Sequence, residues 1–309
     1  MPAAPCKLLN VPSLTDAQLS FTGYVQEHKR AALARSREGS AYSFGPEQRT
    51  RQRLARVRPV MLALELGLAQ FEKAGRAALL EGAVEINSVQ FSSLSKALAQ
   101  AAAALGVPPP RAFVSPTVGV QETNVFGTAD DCILVLPAAF VDHLSSEELQ
   151  CTLASDLGRI HNDHTPLLTA LWVLQTDAPT ALKWVATPAS LLLTSWARGA
   201  DITADRAGLL VSRNLAAMAT ALAKRLGAGR RLLSDIRTEG ALQQLDSEQP
   251  HPDLGLDVEQ WNQWRTRVKA LRLFERTAFY QAGGGVTSGS SSLTLAQCND
   301  EIVKLLGAP

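Results

Sequence analysis

Apolar positions fall into helical and strand-like periods along most of the chain, and the two alternate before residue 145. Residues 59–80, PVMLALELGLAQFEKAGRAALL, carry a sustained helical period. AVEINSVQF (83–91) alternates apolar and polar positions and predicts a strand. LSKALAQAAAALG predicts a further helix, stopped by Gly106 and the Pro108-Pro109-Pro110 run. AFVSP, TNVF and CILVLP read as short β segments with turn residues between them. From Ser145 the pattern turns almost wholly helical: 146–164, 166–197 in pieces, 200–226 and 257–281, with 227–256 mixed and polar.

Two stretches set the limits of this body. Residues 283–292, GGGVTSGSSS by composition, predict a flexible linker. Beyond it Leu295, Cys298, Ile302 and Leu305 mark one face of a short helix, with Thr294 and Gln297 spaced for a capping box. Docking of that helix on its own domain is expected over docking on a partner. The most apolar stretch, 166–197, is interrupted by Asp177, Pro179, Lys183 and Pro188. No uncharged run of about 18 residues survives, so a soluble helical pair is expected and no membrane span.

Charge alters the picture in one place. The chain of 309 residues is 46% hydrophobic and 19% charged, with a net charge of +1. Residues 29–58, however, hold nine Lys or Arg against Glu38 and Glu47. Either an arm contacts an acidic partner, or the arginines of a solvated helix pair with an acidic body. Scarce interleaved aromatics and the neutral whole favour the second, and exclude nucleic acid as an expected partner. Four cysteines (Cys6, Cys132, Cys151, Cys298) lack C-x-x-C spacing, so reduced thiols in a cytoplasmic compartment are expected. The N-terminus lacks the basic and long apolar regions of a signal peptide.

Candidate chemistry concentrates in LASDLGRIHNDH (153–164). On a helix Leu149, Leu153, Leu157 and Ile160 share one stripe, and Ser155, Asp156, Arg159 and Asn162 cluster opposite. Alone, this is an ordinary amphipathic surface helix, with Arg159 and Asp163 as an i, i+4 pair. His161 and His164 lie about 240° and 180° from Ser155 at 100° per residue, so they face away and read as structural. His28, His143 and His251 stand isolated.

Taken with SWARGADITADRAGLLV (195–211), the stretch SEELQCTLASDLGRIHNDHT (146–165) resembles the HtpX-like zinc metallopeptidases, a family that includes the CAAX prenyl proteases. Asp201-x-x-x-Asp205-Arg206-Ala207-Gly208 fits the frame of that family's second helix. Asn124-Val125-Phe126 resembles its edge strand, and RVKALRLFERTAFY (267–280) its closing helix. The likeness spans roughly residues 60 to 280.

The resemblance implies an α+β, mainly α, zincin-like peptidase domain: a small β-sheet, and an active-site-like helix crossing a second helix. It divides the chain into a basic N-terminal extension (1–58), the peptidase-fold domain (59–282), the linker (283–292) and the C-terminal helix (293–309). It also places the family's two zinc-binding histidines at Ser155 and Arg159, its catalytic glutamate at Asp156, and its third ligand at Asp201. Asp205 keeps its supporting identity.

Serine binds Zn²⁺ weakly and a permanently charged guanidinium does not bind it. The expectation is therefore a pseudoprotease without zinc or other cofactor, acting through a protein or peptide partner, an active relative among them. An extended peptide against Asn124, Val125 and Phe126 is the expected mode. Arg159 should approach Asp201, with Asp156 and Asp205 near. The alternative is residual or altered hydrolysis. It would need a base beside Ser155, or Mg²⁺ or Ca²⁺ on Asp156, Asp201 and Asp205, which Arg159 opposes. A helical interaction protein of another kind would lack the small sheet.

Overall fold

A computed structural model describes residues 40–118, 124–176, 183–227, 236–283 and 292–307. The fold is mainly helical with a small mixed sheet, an α+β arrangement. In chain order the elements are α1 (Gly45–Leu54), α2 (Arg58–Gln70), a π-turn (Phe71–Gly75), α3 (Arg76–Leu80), β1 (Val84–Glu85) and α4 (Ser92–Leu105). Then come β2 (Arg111–Ser115), β3 (Val125–Gly127), β4 (Cys132–Pro137), α5 (Ala138–Val141), α6 (Ser146–His161) and α7 (Thr165–Thr176). The rest are α8 (Lys183–Ser212), α9 (Leu215–Leu226), α10 (Glu239–Gln243), α11 (Val258–Glu275), α12 (Ala278–Gly283) and α13 (Leu295–Leu305).

The sheet order is β1-β2-β4-β3. β2 and β4 run parallel, while β1 and β3 are antiparallel edges. Its central strands are buried on both faces, as the unbroken apolar run of CILVLP requires. One face packs on α4 and α6 through Val114, Leu134, Leu136, Leu98, Leu153 and Leu157.

Sequence expectations shift at three places. The strand expected over 83–91 shrinks to two residues, because Asn87 closes a turn: its Oδ1 accepts from the backbone N–H of Val89 and Gln90. The single helix expected over 200–226 breaks at Arg213, which takes a φ of 53°, and Asn214 caps the new helix by accepting from Ala217 N. Residues 40–58 are not a separable extension from Ser40 onward. Phe44 and Leu54 are buried, and Glu47 is buried against Trp196 and Thr203. The 283–292 linker lies almost wholly outside the described residues.

The C-terminal helix docks at home. Cys298 and Ile302 are buried in the core around Trp261, Trp264 and Phe274, and the Thr294–Gln297 capping box forms. Among the described residues no helix is long and apolar enough to cross a membrane.

The central packing event is α6 against α8. Small residues set it: a methyl on Gly158 would lie 2.5 Å from Ala207 Cβ, and one on Gly208 would run into Ser155 Oγ. Gly158→Val is expected to push the helices apart and cost about 1–3 kcal/mol, in the range of overpacked cores. Urea unfolding checks this, and an unchanged midpoint would refute so close a crossing.

Candidate functional site

Helix α6 starts from a complete capping box, Ser145 with Glu148, and Glu148 also accepts from Lys224 Nζ at 2.7 Å. Every residue from Cys151 to Arg159 is buried. The polar face therefore does not meet water, as a surface amphipathic helix would require. It lies against α8 and α9.

On that face the charges interlock. Arg159 Nη2 donates to Asp201 Oδ1 at 2.6 Å, joining α6 to α8. Asp156, wholly buried, receives Arg225 Nη1 and Nη2 at 3.3 and 3.2 Å and Asn124 Nδ2 at 2.8 Å. Asp205 receives Arg267 Nε and Nη2 at 2.7 and 2.6 Å, a bidentate fork from α11. Two longer approaches close the set, Arg159 Nε to Asp156 at 3.9 Å and Arg267 Nη1 to Asp201 at 3.7 Å. Three carboxylates thus face three guanidiniums, a neutral lattice in a buried place where any unbalanced charge is costly.

The electrostatics follow from this pairing. Burial alone would raise Asp201, but Arg267 and Arg159 outweigh it and hold the carboxyl below its ordinary value. Burial dominates at Asp205, whose pKa stays raised although Arg267 offsets part of the effect.

The residues present do not fit a zinc ion. The aspartate oxygens that face the crossing are engaged by guanidinium or amide N–H, and Ser155 Oγ turns to Met218 Sδ at 3.9 Å. The void bounded by Ser155, Arg159, Asp205, Met218, Arg225 and Arg267 measures about 10 Å³. A single water needs about 10–15 Å³ of such volume, so even that barely fits. Among the described residues no cluster of three His, Cys, Asp or Glu side chains is placed to hold a metal.

Other sequence-derived candidates land differently. Asn124, Val125 and Phe126 do lie at an edge strand, but all three are buried. Asn124 turns inward to Asp156, and α7 covers the outer side of β3, where Thr169 Oγ1 accepts from Gly127 N at 2.9 Å. Backbone pairing of a peptide along this strand, expected from the sequence, meets α7 instead. His161 accepts or donates to Tyr42 Oη at 3.0 Å. His164 is not at the surface: it is buried, 3.3 Å from Glu47 and edge-on to Trp196.

Arg225 and Arg267 were not singled out by sequence reasoning. A signal existed for Arg267: it sits three residues after Trp264 and four before Leu271, on the apolar stripe Trp261, Trp264, Val268, Leu271 of α11. A charge in that stripe needs a buried partner. One larger hollow adjoins the lattice, a cavity of about 330 Å³ between α7, α8, α11 and the end of α13, lined by Asp201, Arg267, Arg198, Glu259, Asn262 and Leu306 among others.

No family model matches the chain. It is 28% identical over 169 residues to the plastoglobule-localized metallopeptidase 48, chloroplastic, of Arabidopsis thaliana, an alignment covering 53% of this chain and 48% of that protein. The chain thus spans about half the length of this relative, and the similarity supports kinship with metallopeptidases. No solved structure matches.

Proposed function

We propose that this is a metallopeptidase-like protein of zincin fold whose catalytic centre has become a structural ion lattice, and that it works as a regulator or scaffold by binding protein or peptide segments. The observation that carries the reading is the buried Arg159–Asp201 pair at the crossing of α6 and α8. A guanidinium there supplies positive charge to clustered carboxylates and offers neither a Lewis-acid centre nor an activated water. The HtpX-like resemblance is the basis for the proposed zincin fold, and the similarity to a metallopeptidase supports the broader kinship.

Residual hydrolysis through Ser155 is the weaker reading. Its hydroxyl faces a thioether at 3.9 Å, and no imidazole bonds to it among the described residues. Free thiols at Cys132, Cys151 and Cys298 suit a reducing compartment, and the cytoplasm is the location we propose.

The cavity beside Asp201 replaces the edge strand as the proposed peptide seat. Its volume lies at the small end of ligand pockets, and it mixes amide and hydroxyl donors with leucines. Casein and mixed peptides incubated with the protein and added zinc should remain uncut. Cleavage abolished by phenanthroline would overturn the reading. Arg198→Glu, at an exposed position in the cavity wall, should weaken capture from a peptide array without moving the unfolding midpoint; undiminished capture would remove the cavity assignment.

A further inference from the structure

Two stretches prominent in the sequence have no part in the ion lattice: the arginine-rich segment before residue 59 and the leucines around it. In α1 the inward face carries Glu47 and Leu54, and Arg51 turns to Asp163 at 3.1 Å. Arg49 and Arg53, at i and i+4, lie on the side of α1 opposite Glu47, and Arg56 sits in the turn that follows the helix. All three are exposed, and among the described residues none has a carboxylate partner in the structure. Arg58 then opens α2, and the outward line of that helix continues at intervals of four through Leu62 and Leu66. These leucines are 39% and 37% exposed although Val60, Ala63 and Gly67 already fill the inner face. The single acid beside them is Glu65. α8, which packs on α2, adds Leu191 and Leu192 at 69% and 43% exposure.

The ridge is held firmly. Glu47 accepts from Trp196 Nε1 at 2.6 Å, and its side chain sits so close over Gly199 that a methyl there would lie 2.9 Å from Glu47 Cβ. Exposed cations on α1 and in the turn after it, followed along the chain by exposed leucines on α2, match the boundary of a lipid layer, where guanidiniums meet headgroup phosphates and leucines enter the acyl edge. Single-stranded nucleic acid would be served by aromatic stacking platforms, and this ridge presents none. We infer that the ridge of Arg49, Arg53, Arg56 and Arg58 with Leu62 and Leu66 docks the folded protein peripherally on an anionic lipid surface.

Sedimentation of the full chain with extruded vesicles tests this. Vesicles of phosphatidylcholine mixed with phosphatidylglycerol should bind it at least about tenfold more tightly than phosphatidylcholine alone, and high salt should erode the difference. Arg49→Gln/Arg53→Gln/Arg56→Gln should lower the affinity for anionic vesicles roughly a hundredfold. Leu62→Gln/Leu66→Gln should weaken binding and leave the remainder fully salt-sensitive. All five positions are exposed, so denaturation midpoints should match the parent, which separates lost docking from lost folding. Equal binding to both vesicle types, or a triple arginine variant that binds like the parent, overturns the inference. So does arginine-dependent binding to duplex RNA without binding to vesicles, which would assign the ridge to a nucleic acid.

Discussion

Replacing Arg159 with methionine should lower the free energy of unfolding by about 3–5 kcal/mol, the usual cost of removing one partner from a buried ion pair. Side-chain volume is nearly conserved, so the loss is electrostatic: Asp201 keeps the 3.7 Å approach of Arg267 and the charge of Arg225, and Asp156 loses its neighbour at 3.9 Å. The double variant Arg159→Met/Asp201→Leu should recover most of that loss. It leaves Asp156 with Arg225 and Asp205 with Arg267, two carboxylates against two guanidiniums. Guanidinium unfolding of the parent, both single variants and the double variant gives the coupling directly. Additive effects would mean that the pair is not a unit.

Arg267→Met should cost a similar amount, about 3–5 kcal/mol at neutral pH, and should make stability fall more steeply from mildly acid to neutral pH. Asp205 already has a raised pKa because of burial, with Arg267 as its chief offset. Without Arg267 the folded pKa climbs further above the unfolded value, so the folded state binds more protons than the unfolded state between the two. Stability then falls as pH rises through that window and grows on mild acidification. In the parent, Asp201 and Glu47 are held below their ordinary values and favour folding above the unfolded carboxylate pKa. Their contribution is lost as pH falls. A fall in stability from mildly acid to neutral pH that is steeper in the variant than in the parent, with Asp205→Asn removing the excess, would establish the role of Arg267. Parallel slopes would refute it.

How much of this was readable from the chain depends on how local the signal was. The α6–α8 crossing was legible only through the family resemblance that two short segments carry, Ser155-Asp156-x-x-Arg159 and Asp201-x-x-x-Asp205. The short strands at 111–115 and 132–137 were legible from apolar runs between turn residues. Arg225 and Arg267 were not, since an isolated arginine on a helix ordinarily reads as solvated, and its inward direction appears only relative to Trp264 and Leu271. Glu47 was hidden similarly: a strong positive surplus drew attention to the exposed side of α1, whereas Phe44, Glu47 and Leu54 form its buried side. The 83–91 alternation was a false strand because one asparagine side chain captures two backbone donors. No hydropathy period registers such a capture.

The most direct measurement is the zinc retained by full-length protein purified without chelator, incubated with excess zinc and desalted. The proposed reading, in which Arg159 stands at a position the resemblance assigns to a zinc ligand, predicts far less than stoichiometric zinc, and an unfolding midpoint indifferent to the metal. Stoichiometric zinc, with a midpoint raised by the metal and lowered again by phenanthroline, would contradict the account.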